Sequence, residues 1–173
     1  MSDEMNDKPA PIPQIPMLEQ RRIEALIVKN IYEVLVERHG EEEARNSISI
    51  AIKNAAIEQG KNFRDSHFNE HGCEPELADY AQLGALWEMG GALKLKRHVK
   101  TKQRLEYDIV HCAYADMYKE MGLAHIGDLL SCNRDGTFCI GYNPKMKLTR
   151  TQTIMEGAKH CDFRYRMDGE ESE

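Results

Sequence analysis

The 173-residue chain has no uninterrupted apolar run long enough to cross a bilayer, which argues against a helical membrane span. It has no basic excess. Its 29 acidic and 23 basic side chains leave a formal charge of −6, which disfavours general binding to nucleic acid or to an anionic membrane. The one basic run, LKLKRHVKTKQR at 93–104, reads as the solvated face of a hairpin. The N-terminus lacks the apolar segment of a signal peptide. Proline is scarce after residue 16, by which point four of the six have occurred. Disulfide-type cysteine usage is also missing: five is an odd number. These absences predict a cytoplasmic protein whose cysteines serve packing, metal binding or catalysis in a reducing compartment.

The remaining composition, 41% hydrophobic and 30% charged, is that of one globular domain large enough to fold without disulfides or a structural metal. Residues 1–16 read as an extended or disordered arm, 17–168 as a single domain and 169–173 as an acidic tail. Ile23, Leu26, Ile27, Ile31, Val34 and Leu35 recur at helical spacing and predict the apolar stripe of a helix over 18–39, stopped by Gly40. A second helix follows from Glu41 to about Phe68. Ala44, Ile48, Ala51, Ile52, Ala55 and Phe63 line one side of it, and Gly60 marks a bend. A third helix begins at Pro75.

After Gly91 the period changes to two. Leu93, Leu95 and Val99, then Tyr107 and Ile109, predict an antiparallel hairpin turning near 101–103. A short helix over 113–121, another turn or two of helix over 126–131, turns at Asp135-Gly136 and 141–144, a threonine-rich strand over 147–155 and a last strand from Cys161 complete the pattern. The expected fold class is α+β: an N-terminal helical layer packed on a four-stranded antiparallel sheet, with a short helical insertion between strands two and three.

Four of the five cysteines lie between residues 112 and 163, so the chemistry is expected there. Cys112 stands just before a helix, where the dipole favours a thiolate; from position alone a small buried hydrophobe serving packing is the simpler reading. Cys132 and Asp135 are three apart in SCNRD, close enough to converge on a substrate, a water or a zinc ion. Cys161 should face the core side of the last strand, and the alternation turns His160 away from it. Cys139 has no polar partner in sight and reads as packing. Thr149, Thr151 and Thr153 share one face of the predicted strand, either as β-forming residues or as a hydroxyl ladder lining a pocket. Arg150 and Arg164 are candidates to hold a substrate carboxylate. Cys73, with His67, His71 and Glu74 near it, is a loop cluster more readily explained by solvation than by a metal.

Taken together, HCAYADMYKEMGL, LLSCNRD, the GYNP turn and LTRTQTIMEGAKHCDFRY resemble the 2-aminothiazoline-4-carboxylate hydrolase family over roughly residues 92–165. The resemblance implies a bacterial cytoplasmic hydrolase that opens a small cyclic amidine or amide towards N-carbamoyl-cysteine. Its catalytic candidates are Cys132, Asp135, Cys161 and Cys112, and its substrate-binding candidates are Arg150 and Thr153. Two mechanisms fit the expectation. In one, a cysteine thiolate attacks the ring carbon and Asp135 moves protons. In the other, Cys112, Cys132 and Cys161 gather around zinc, although spacings of 20 and 29 residues form no standard zinc motif. The expected partner is a small-molecule substrate, and the amphipathic helices and proline-rich arm leave self-association into a homo-oligomer open. The alternative class is a non-catalytic sensor or binding domain with a cysteine-lined pocket.

Overall fold

The first helix, α1 (Met17–His39), buries the less apolar of its two faces. Met17, Arg21, Ala25 and Tyr32 are buried, whereas Ile23, Leu26, Ile27, Ile31 and Val34 are 47–64% exposed. The expected stripe is real, but it points outward. Ala25 lets α1 lie close to Ala44 and Ile48 of helix α2 (Glu41–His71), and Tyr32 packs its ring against His125 with 5.6 Å between centroids. The structure is a computed structural model that describes residues 15–169; most of the expected arm and of the acidic tail lies outside them.

Helix α2 runs unbroken through Gly60. A Cβ there would run into the Phe138 carbonyl oxygen, and a Cβ at Gly141 would run into the Ile57 carbonyl oxygen. The two glycines let α2 and helix α5 (Asn133–Tyr142) cross backbone to backbone, which fixes the height of α5 above the sheet. Ala51 and Ala55, expected on the buried side of α2, are exposed, because this crossing rotates the Ile48–Ile52–Ala56–Gly60 stripe inward instead.

Helix α3 (Leu77–Glu88) starts at Glu76, whose amide donates to Asp79 at 2.8 Å. A four-stranded antiparallel sheet follows: β1 (Leu93–Lys100), β2 (Arg104–Cys112), β3 (Met146–Thr149) and β4 (Cys161–Met167), in the order β1-β2-β4-β3. Between β2 and β3 the chain forms helix α4 (Ala113–Glu120), a 3₁₀ turn (Ala124–Ile126), a π-helical turn (Asp128–Cys132) and α5. The α+β class and the insertion are as expected. The insertion is longer than the sequence suggested, because Asp135-Gly136 lies inside α5 rather than in a turn.

The sheet is two-faced. Tyr107 opposes Phe163 in register, their rings stacked at 5.1 Å, and Leu105 opposes Tyr165; this face looks toward the helices. The alternate residues form a charged outer face. Arg164 donates to Asp108 at 2.9 Å there, so it cannot reach an inner-face substrate as expected.

The threonine-rich strand ends at Thr149, earlier than expected. Beyond it Asp162 captures the chain: it accepts from the Thr151 amide at 2.9 Å, the Thr151 hydroxyl at 2.7 Å and the Gln152 amide at 2.9 Å. These bonds compete with strand pairing and turn residues 150–153 into an ordered loop.

Candidate active site

Between the inner face of the sheet and helices α3 and α5 lies a cavity of about 130 Å³. Aromatic rings form part of its wall, among them Tyr80, Trp87, Tyr107, Phe138, Phe163 and Tyr165. The Tyr80 and Tyr165 hydroxyls share a hydrogen bond at 2.8 Å, so these rings bring no unpaired polar group into the cavity. An apolar cavity of ~150 Å³ takes one benzene ring, so this space suits a single small ring.

One segment supplies a concentrated group of polar side chains. The π-helical turn runs directly into α5 and presents Ser131, Cys132, Arg134 and Asp135 to the cavity. Such widened turns recur at functional sites because they re-aim side chains that a regular helix would carry elsewhere. Cys132 and Asp135 both line the cavity, from helical turns rather than a tight turn.

Asp135 is 33% exposed, onto the cavity it lines. Arg150 donates to it at 2.5 Å and also to the Cys132 carbonyl at 3.2 Å, with its guanidinium carbon 5.1 Å from the centre of the Phe163 ring. Burial pushes the Asp135 carboxyl above the ordinary aspartate range, and Arg150 pulls it part of the way back. The result is a carboxylate held in place by Arg150. Arg150, expected to hold a substrate carboxylate, is thus already committed to Asp135.

The thiols are less suited to attack than their positions suggested. Cys112 lines the cavity as the cap of α4, yet burial outweighs the amides of Ala115 and Tyr114 and pushes its thiol up to about 11. Burial pushes the Cys132 thiol further above its ordinary value, helped by the nearby Asp135 charge. Cys161 is buried outside the cavity wall, and its Sγ accepts from the Ile154 amide at 3.1 Å. Cys139 packs in the core and its thiol donates to the Asp135 carbonyl at 3.5 Å. His160 exchanges a hydrogen bond with Gln152.

Among the described residues, no three His, Cys, Asp or Glu side chains form a group that could hold a metal ion. Cys112, Cys132 and Cys161 come from a strand end, a helical turn and the last strand, and Cys161 turns toward Ile154 instead of joining the other two. Cys73 sits 3.9 Å from His67 in an exposed loop and likewise belongs to no such group. Thr153 is buried, but its hydroxyl accepts from the Glu156 amide at 3.1 Å and donates to the Glu156 carboxylate at 2.7 Å. It caps a turn and does not line the cavity.

The RTQTIMEG and CDF segments thus hold each other. Asp162, Cys161 and Thr153 build the loop, and the loop delivers Arg150 to Asp135.

A family model described as L-2-amino-thiazoline-4-carboxylic acid hydrolase matches residues 20–165. The chain belongs to this family. In this member of the L-2-amino-thiazoline-4-carboxylic acid hydrolase family, the cavity, the Asp135–Arg150 pair and the loop that joins them all lie within the matched segment. No curated protein matches the chain in sequence. Two solved structures share the fold. One is a trafficking protein particle complex subunit 3 from Naegleria fowleri covalently bound to palmitic acid, at 9% identity and a TM-score of 0.51, with 90% of this chain and 99% of that one covered. The other is the phenol-responsive sensory domain of the transcription activator PoxR with phenol, at 11% identity and a TM-score of 0.52, with 89% and 76% covered. No described helix of this family member is long and apolar enough to cross a membrane.

Sequence reasoning missed Arg21, Gln59 and Arg134, which also line the cavity. A signal for Arg21 was present: it recurs with Met17, Ala25 and Tyr32 at steps of four and seven, on the face that is buried.

Proposed function

We propose that this domain is a hydrolase of a small cyclic amidine or amide, such as 2-aminothiazoline-4-carboxylate, with Asp135 as its proton-transfer group. The observation that carries the reading is the Asp135 carboxylate, fixed by Arg150, on the wall of a cavity the size of one ring. Water adds to the amidine carbon while Asp135 takes its proton. As the ring bond breaks, Asp135 returns that proton to the leaving atom, which gives the open carbamoyl product. The aromatic walls exclude bulk water and strengthen the interaction of Asp135 with developing charge. Attack by water is favoured over attack by a thiolate because burial keeps Cys112 and Cys132 protonated at neutral pH.

A second reading is supported by the fold relatives, one covalently bound to palmitic acid and the other holding phenol. In it the cavity binds a small ring without turning it over. One experiment separates the two. The purified chain is incubated with 2-aminothiazoline-4-carboxylate and ring opening is followed by loss of the substrate's absorbance. Turnover lost in Asp135→Asn supports the hydrolase; saturable binding with no turnover supports the binding domain.

A further inference from the structure

At the α1 end of the cavity two arginines share one carboxylate. Arg21, only 5% exposed, donates from Nη1 to both Glu24 oxygens at 2.7 and 2.9 Å and from Nη2 to Gln59 Oε1 at 3.1 Å. Arg134 donates from Nη2 to Glu24 Oε2 at 2.9 Å and from Nε to the Leu130 carbonyl at 2.8 Å. Both guanidiniums line the cavity. With Gln59 and Glu24 they also line a groove on its outer side, between α1 and α2. Glu24 belongs to the groove alone, its side chain 43% exposed.

One buried and one half-buried positive charge therefore face one partly solvated negative charge. Burial, and then the Arg21 charge, hold Arg134 below its ordinary value. The next carboxylate along the wall, Asp135, is bound by Arg150 and acts on Arg21 and Arg134 only through space. Arg134 Nη1 donates to no described residue. A guanidinium's fork of donors fits a carboxylate, and a buried positive charge without a full counterion is costly, so the cavity is built to receive an anion at this end.

We propose that Arg21 and Arg134 hold the carboxylate of the ring ligand, which displaces Glu24 from them as it enters through the α1–α2 groove. The assignment rests on the reading above, in which the ligand is a small ring acid. It places the carboxylate at the α1 end and the ring among the aromatic walls, with the reactive carbon turned toward Asp135.

The test is a titration of the full chain with 2-aminothiazoline-4-carboxylate and with its uncharged carboxamide, read by the fluorescence of Trp87. Trp87 is the chain's single tryptophan and lies on the cavity wall. The carboxylate is expected to bind at least about tenfold tighter than the carboxamide, a difference of ~1.4 kcal/mol. Arg134→Gln is expected to abolish that preference. Glu24→Gln, at a partly exposed site, weakens the competitor and is expected to tighten carboxylate binding severalfold while leaving carboxamide binding unchanged. If Arg134→Gln loses its fold by circular dichroism, Glu24→Gln decides. Equal affinity for the two ligands, binding of neither, or no gain in Glu24→Gln overturns the assignment. Carboxylate-selective binding without turnover sustains the two arginines and removes the hydrolase reading. Turnover without carboxylate preference does the reverse.

Discussion

Arg150 donates to Asp135, which lines the cavity, while its guanidinium carbon stands 5.1 Å from the centre of the Phe163 ring. Three separate parts of the chain meet in this contact: α5, the loop after β3, and β4. Losing Arg150 leaves a largely buried carboxylate without its counterion. Breaking a fully buried pair costs ~3–5 kcal/mol, and the one-third exposure of Asp135 reduces this. Arg150→Ala is therefore expected to destabilise the fold by about 2 kcal/mol, read from the midpoint of urea unfolding. Arg150→Lys keeps the charge but not the fork, and should fall between the two.

The raised Asp135 carboxyl sets a direction for the pH profile. As a general base it works only when ionised, so kcat/KM should fall on the acid side through a value above the ordinary aspartate range. Asp135→Asn is expected to lower kcat by roughly 10²–10⁴-fold and to remove that acid limb. Retention of the limb in Asp135→Asn would assign it to another group.

Cysteine chemistry gives an independent check. Cys73 is exposed, whereas burial raises the thiols of Cys112, Cys132, Cys139 and Cys161. At pH 8 iodoacetamide should modify Cys73 first, and the other four only as the protein unfolds, as counted by mass spectrometry. With water as the nucleophile, Cys132→Ala keeps turnover within about tenfold of the wild type, whereas a thiolate mechanism loses it entirely.

The crossing of α2 and α5 has no room for a methyl group at Gly60 or Gly141, because the obstruction is backbone rather than a flexible side chain. Each alanine substitution should cost about 3 kcal/mol and shift α5, so ring binding should weaken with stability. Thermal unfolding combined with the tryptophan titration would show both effects.

Asp162 ties loop stability to pH. Burial opposes its charge, but the Thr151 hydroxyl and the amides of Thr151 and Gln152 hold its carboxyl below the ordinary range. Its contribution is therefore fully present above the unfolded value of about 3.9 and is lost as pH falls through the lower folded value. The difference in urea midpoint between wild type and Asp162→Asn should be constant at neutral pH and vanish in acid below that value.

The sequence by itself determined most of the helices and strands, though not helix α5 or the early end of β3. Apolar spacing located α1, α2 and the β1–β2 hairpin, and strict alternation located β4. The SCNRD pattern singled out Cys132 and Asp135 because side chains three apart can converge from a helix end or a tight turn. Tertiary structure decided which face of each element met the core. The aliphatic stripe of α1 lost to the face bearing Met17, Arg21, Ala25 and Tyr32, since close packing on α2 rewards small residues at the contact and period alone cannot choose between two faces. Long-range hydrogen bonding reassigned the threonine segment, because Asp162 competes for its amides from 10 and 11 residues away. Tertiary structure also brought Arg150 to Asp135 and set Arg21 beside Arg134. A charge far along the chain becomes a partner only when packing closes the distance and burial removes the water that would otherwise screen it.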